Sequence, residues 1–139
     1  MDPLLTLSAS TRQTAGILLL AIVTIEWGGW AVLGLVRGQR PATTFQMNFA
    51  RAGHAHAGVL VSLALICQLF VDATRLDGPL EFIARTGVPL AAILFPLGFF
   101  LSSMGTGATA PNRLIGLLYL GVVSLALGVV ALGYGLLVA

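Results

Sequence analysis

Apolar residues run along this chain in four long unbroken stretches. The first extends from about Thr14 to Val36, the second from about Phe45 to Val71, the third from about Phe82 or Gly87 to Met104, and the fourth from about Leu114 to Val138. With their flanking turns they predict helices near 14–36, 45–71, 82–104 and 111–138. The runs are continuous rather than alternating, which favours helices over half-buried strands. A segment of ~20 residues spans ~30 Å of hydrocarbon, and in lipid a helix satisfies its own backbone polar groups. Polar breakers separate the stretches: Arg37-Gly38-Gln39-Arg40-Pro41, then Asp72 to Pro79, then Gly105-Thr106-Gly107 with Pro111-Asn112-Arg113. Pro111 suits the first turn of the fourth helix, Pro96 is expected to kink the third, and Leu80 to Arg85 reads as a separate interfacial piece.

Composition sharpens this picture. Of 139 residues, 58% are hydrophobic and 9% charged. Soluble domains carry roughly 25% charged residues. A mean hydropathy of +0.99 agrees with a lipid-facing surface. The expected fold is therefore an all-α integral membrane four-helix bundle, up-down-up-down, with 1–139 forming one domain. No linker long enough to divide it is present. The first stretch exceeds the ~7–15 residues of a signal-peptide core and reads as a retained helix. Counting basic residues in the connections leans towards both termini outside, in a bacterial cytoplasmic membrane. The net charge of +2 gives no indication of nucleic acid. Cys67 stands alone, so it forms no intrachain disulfide and reads as a small apolar residue.

The fourth stretch carries small residues at Gly121, Ser124, Gly128, Ala131 and Gly135, spaced by three and four. Such a stripe lets helix backbones approach closely. It seats either another helix of the same chain, the preferred reading, or a neighbouring copy in a homo-oligomer.

Candidate chemistry centres on Arg51-Ala52-Gly53-His54-Ala55-His56-Ala57-Gly58, which holds both histidines of the chain. Ionisable groups inside a membrane segment are costly and mark a functional site by default. Glu26 lies ten residues before Val36, ~15 Å along a helix. Ten residues into the second helix is Ala55. Glu26, His54 and His56 are thus expected at one depth. Arg51, Ser102, Ser103 and Tyr119 are expected within a turn or two of that level, with Met47 and Asn48 just above. At ~100° per residue His54 and His56 point roughly 200° apart, so a regular helix cannot chelate one ion with both.

Each residue also has a plain structural reading. Glu26 and His54 can close a hydrogen-bond network, Arg51 can snorkel from a helix end, and His56 and Tyr119 can simply pack. Two functional classes remain. One is a redox or sensing site in which His54, His56 and Glu26 hold haem b or a Cu, Zn or Fe ion, with Arg51 or a serine orienting the ligand. The other is a proton-coupled channel or transporter using the same Glu/His cluster. A structural accessory subunit is the third possibility. Gly-rich phosphate loops, a serine elbow and HExxH are all absent from the sequence.

The pattern His54-Ala55-His56-Ala57-Gly58 at the start of a second membrane helix resembles the corresponding segment of haem-copper oxidase subunit I. That resemblance implies that His54 or His56 is an axial haem ligand. The second ligand would then be Met47, Met104 or a histidine of another subunit. The other histidines of that family have no counterpart here, so oxygen reduction is not implied. The general layout resembles small bacterial four-helix membrane proteins to which no activity is assigned.

Overall fold

The computed structural model describes residues 7–139. It contains four long helices: α1 Ala9–Val36, α2 Thr44–Val71, α3 Gly78–Ser102 and α4 Gly116–Leu137, the last preceded by a 3-10 turn at Arg113–Ile115. By length and composition all four can cross a membrane. The first six residues of the expected 1–139 domain lie outside the described residues.

Local chemistry sets the helix ends. The Ser8 side chain accepts from the Thr11 N–H and caps α1. Thr43 and Gln46 form a reciprocal capping box at α2, each side chain accepting from the other's backbone. Pro79 occupies the first turn of α3. There its missing N–H costs no helical bond. Leu80 to Arg85 is therefore the opening of α3 rather than a separate interfacial helix. Met104, expected at the end of this helix, lies beyond Ser102 in the turn. Pro111 also falls outside its helix, because Asn112 accepts from the Leu114 N–H and starts the 3-10 turn instead.

The helices pack in sequence order, α1 on α2, α2 on α3 and α3 most extensively on α4; α4 meets α2 only lightly. The α3–α4 contact explains the stripe of small residues. Gly87 and Gly128 cross so closely that a Cβ on Gly87 would lie 2.6 Å from the Gly128 Cα. Ser124 Oγ donates to the Gly87 carbonyl at 2.8 Å. Gly121 faces Phe95 and Gly135 faces Leu76. The stripe thus seats a helix of the same chain. In lipid, where apolar side chains gain little by leaving the acyl chains, this close backbone packing is a main source of cohesion. Helix α1 is the least embedded element, with only Thr11 and Leu18 fully buried.

A polar clasp that the sequence reading did not anticipate fastens α1 to α2 and α3. Arg85 on α3 bonds Asp72 at the end of α2 (2.8 Å), Glu81 one turn earlier (2.8 Å) and the Thr11 hydroxyl of α1 (2.9 Å). Asp72 also accepts from the Ser8 N–H and hydroxyl, each at 2.9 Å. Thr11 in turn donates to the Gln68 carbonyl at 3.3 Å. Pro89 completes the logic. It has no N–H to give to the Arg85 carbonyl four residues earlier, and the Gln68 side-chain amide supplies the missing donor at 2.7 Å. The proline therefore locks α2 to α3 instead of breaking the helix.

Burial alone raises the Asp72 carboxyl. The Ser8 N–H, the Arg85 guanidinium and the Ser8 and Thr11 hydroxyls outweigh that effect and hold it at about 2, below its usual 3.8. A carboxyl depressed in the folded state stabilises the fold above its unfolded value, and that stability is lost as pH falls towards the folded value. We expect detergent-solubilised protein to lose on the order of 1–2 kcal/mol between pH 4 and pH 2. Asp72→Asn should flatten this dependence. An acid titration of the melting temperature, with equal slopes for both proteins, would contradict the assignment.

Candidate functional site

Helix α2 delivers its two histidines to different neighbours. His54 turns towards α1, where consecutive glycines leave a notch. A Cβ on Gly29 would lie 3.1 Å from the His54 Cε1 and 3.3 Å from Nε2, and one on Gly28 would lie 3.9 Å from Nδ1. The glycine pair therefore accommodates the ring rather than another helix backbone. His56 turns towards α3. Its ring stacks on Phe95 (centroids 5.3 Å apart, planes within 6°) and tilts against Phe99 at 5.1 Å. His56 Nδ1 lies 2.8 Å from the Ala52 carbonyl. A nitrogen facing a carbonyl carries the proton, so the Nδ1–H donates there. The separation of the two rings expected from helical geometry is thus present.

His54 lines a cleft of about 380 Å³ between α1, α2 and α3. Its walls are apolar: Leu18, Ala21 and Ile25 from α1, Ala57 and Val61 from α2, and Ala92, Ile93 and Phe100 from α3. Pro89 and Pro96 also border it. Besides the imidazole, only the hydroxyls of Thr14 and Thr24 are polar. The Thr24 hydroxyl is satisfied by the Ala21 carbonyl at 2.6 Å. Volume and lining fall in the range of small-molecule and cofactor sites, which are mostly apolar with a few placed polar groups. A second hollow with polar residues Ser10, Gln13 and Arg85 adjoins the cleft through shared walls at Thr14, Pro89 and Ile93.

The other expected site residues are not gathered around this cleft. Glu26 is exposed and does not line it, although it lies near the depth expected. On α1 it is roughly 160° round from Gly28, so depth agrees while direction does not. Arg51 and Asn48 are exposed on α2, and Met47 is half-buried. Ser102 and Ser103 are buried, but their hydroxyls bond carbonyls of their own helix, at Phe99 and Phe100. The Ser103 carbonyl belongs to the loop end, where it accepts from Gln46. Tyr119 is 68% exposed on the outer side of α4, and Met104 is 65% exposed. A single polar layer through all four helices is therefore not formed. Sequence spacing reports depth and relative direction on one helix, but not which side of that helix a neighbour occupies.

Among the described residues, no three of His, Cys, Asp and Glu are grouped to hold a metal ion. The polar concentration that does form is the Arg85 clasp, whose members come from three helices and are far apart in sequence. Its one sequence signal was Asp72, Glu81 and Arg85 near a helix–helix connection. Comparison with protein-family models, curated proteins and solved structures finds no match for the chain.

Proposed function

We propose that this is an intramembrane cofactor-binding protein of a bacterial cytoplasmic membrane, with haem as the group held and His54 as its ligating residue. The observation that carries the reading is an imidazole at the wall of a cleft otherwise almost wholly apolar. The donor set bears on the choice of group. A bare Cu, Zn or Fe ion needs several protein ligands. An iron already held by the four nitrogens of a macrocycle needs only one or two. His54 supplies one, and neutral imidazole can ligate through either nitrogen. The apolar walls would receive the macrocycle. Glu26, His56, Met47 and Met104 have no place in this ligand set, since none lines the cleft.

Haem held in this way supplies electron transfer or the binding of a small ligand at iron, with its potential tuned by the low polarity of the walls. The protein's own contribution is to position the imidazole through the Gly28–Gly29 notch and to exclude water. The competing class, a proton pathway through Glu26, Arg51 and His56, draws less support, because these three are exposed on the protomer rather than joined by hydrogen bonds.

Protein purified from haem-replete cells, or titrated with hemin, is expected to show a Soret band near one haem per chain. His54→Ala should reduce occupancy at least tenfold, while His56→Ala retains it. Colourless protein that takes up no hemin, or equal binding by His54→Ala and the parent, overturns the proposal. Proton leak in reconstituted vesicles that is abolished by Glu26→Gln would favour the competing class.

A further inference from the structure

The α1–α2 pair has two sides. One side forms the cleft, with Gly28 of α1 and Ala57 of α2 in its walls. The other side is uncovered. It carries Glu26 on α1, roughly 160° round from Gly28, and Arg51 on α2, roughly 120° round from Ala57. Both are exposed, as are Ala55 and Ser62 beside Arg51. Trp30, 77% exposed, stands next to Glu26 on the same flank.

The register of the two helices follows from two contacts. Thr11 bonds the Gln68 carbonyl, and the His54 ring sits over Gly29. Glu26 is then level with Ala55 to Ala57, and Arg51 with Trp30 to Val32. The two charged residues differ in depth by roughly 6–9 Å at 1.5 Å per residue, a distance that an arginine and a glutamate side chain together span. Both ion pairs among the described residues involve Arg85, so neither Glu26 nor Arg51 is paired with another described residue. A carboxylate ten residues before the end of α1 and a guanidinium seven residues after the start of α2 thus face outward within membrane helices. Ionisable groups at such depth almost always face protein or a water-filled cavity, because hydrocarbon cannot solvate them.

A second copy of the chain resolves this without a further partner. Two copies inserted with the same topology are related by a twofold axis along the membrane normal. That operation keeps every residue at its own depth and makes the contact self-complementary. Glu26 of each protomer then meets Arg51 of the other, giving two ion pairs per interface. Ala55, Gly58 and Ser62 keep this side of α2 slim enough for close approach. We propose that the face carrying Glu26 and Arg51 is a homodimer interface inside the membrane, closed by two reciprocal Glu26–Arg51 pairs. This proposal is independent of the haem reading.

The test uses the full chain carrying two different affinity tags, in mild detergent and in nanodiscs. The parent protein is expected to be a dimer by mass. E26R alone and R51E alone should each lose self-association at least tenfold, because every interfacial pair becomes like-charged. Co-expressed with each other, the same two variants should form a heterodimer within about twofold of the parent yield, since both pairs again unite opposite charges. A pair formed within one protomer would not be rescued by mixing, so rescue only in the E26R/R51E double variant overturns the proposal, as does a monomeric parent. Should the charge reversals fail to insert, A55C in a C67A background provides the second measurement. A short bis-maleimide should link it as a dimer in native membranes, while V122C on the outer side of α4 stays monomeric. The reverse pattern overturns the assigned face.

Discussion

Arg85→Leu is expected to lower the stability of the protein by about 3 kcal/mol, the largest loss from any single side chain outside the helix crossings. Arg85 is the common partner of Asp72, Glu81 and Thr11, which lie on α2, α3 and α1 or at their ends. Its side chain and that of Asp72 are 16% and 15% exposed, so water compensates poorly when one partner is removed. The cost comes chiefly from the carboxylate left behind. A double variant, Arg85→Leu with Asp72→Asn, should therefore recover part of the loss, since the orphaned charge is also gone. Thermal or denaturant unfolding in detergent tests both expectations. Additive losses in the double variant would show that the two residues act separately. Helix α1 should loosen first, because the clasp is one of its few polar attachments to the rest of the chain.

Gly87→Ala should cost about 3 kcal/mol, although it adds a single methyl group. The new Cβ would meet the Gly128 Cα at 2.6 Å, the Gly128 N at 2.8 Å and the Ser124 carbonyl oxygen at 2.8 Å. All three are backbone atoms, which cannot rotate aside. The α3 and α4 axes must separate, and the Ser124–Gly87 hydrogen bond goes with them. Gly16→Ala on α1 is the matched control, because nothing lies within 4 Å of its added methyl. It should be neutral or gain about 0.5–1 kcal/mol from the reduced flexibility of the unfolded chain. Equal melting temperatures for the two variants would contradict the close crossing.

These two expectations show what is legible at each level. The crossing was partly written in the chain, since glycine, serine and alanine at spacings of three and four mark a slim helix face. Its occupant was not read from the chain, although α3 carries Ala84, Gly87, Ala91 and Gly98 on one face, where Gly87 meets Gly128 and Gly98 meets Leu118. The clasp was hardly legible at all. Its residues are ordinary connection-region polar groups until the antiparallel path of α1, α2 and α3 brings their ends together. Pro89 is the clearest case. In sequence it suits the first turn of a helix, yet in the fold it lies inside α3 and the carbonyl it frees receives Gln68.

The amino-acid sequence alone determined that four helices exist, roughly where they end, and at what depth Glu26, His54 and His56 lie. Those properties follow from apolar run length and a rise per residue that tertiary contacts barely alter. It also determined that the two histidines diverge, because a helix turns by a constant angle. Only the tertiary structure decided that His54 enters a glycine notch beside an apolar cleft, that His56 stacks on Phe95, and that Glu26 and Arg51 face away from the cleft. Direction depends on which side of each helix its neighbour occupies. That choice is made by packing between distant residues, including the Gly87–Gly128 approach and the bonds of Arg85, and leaves no periodic mark on any one helix.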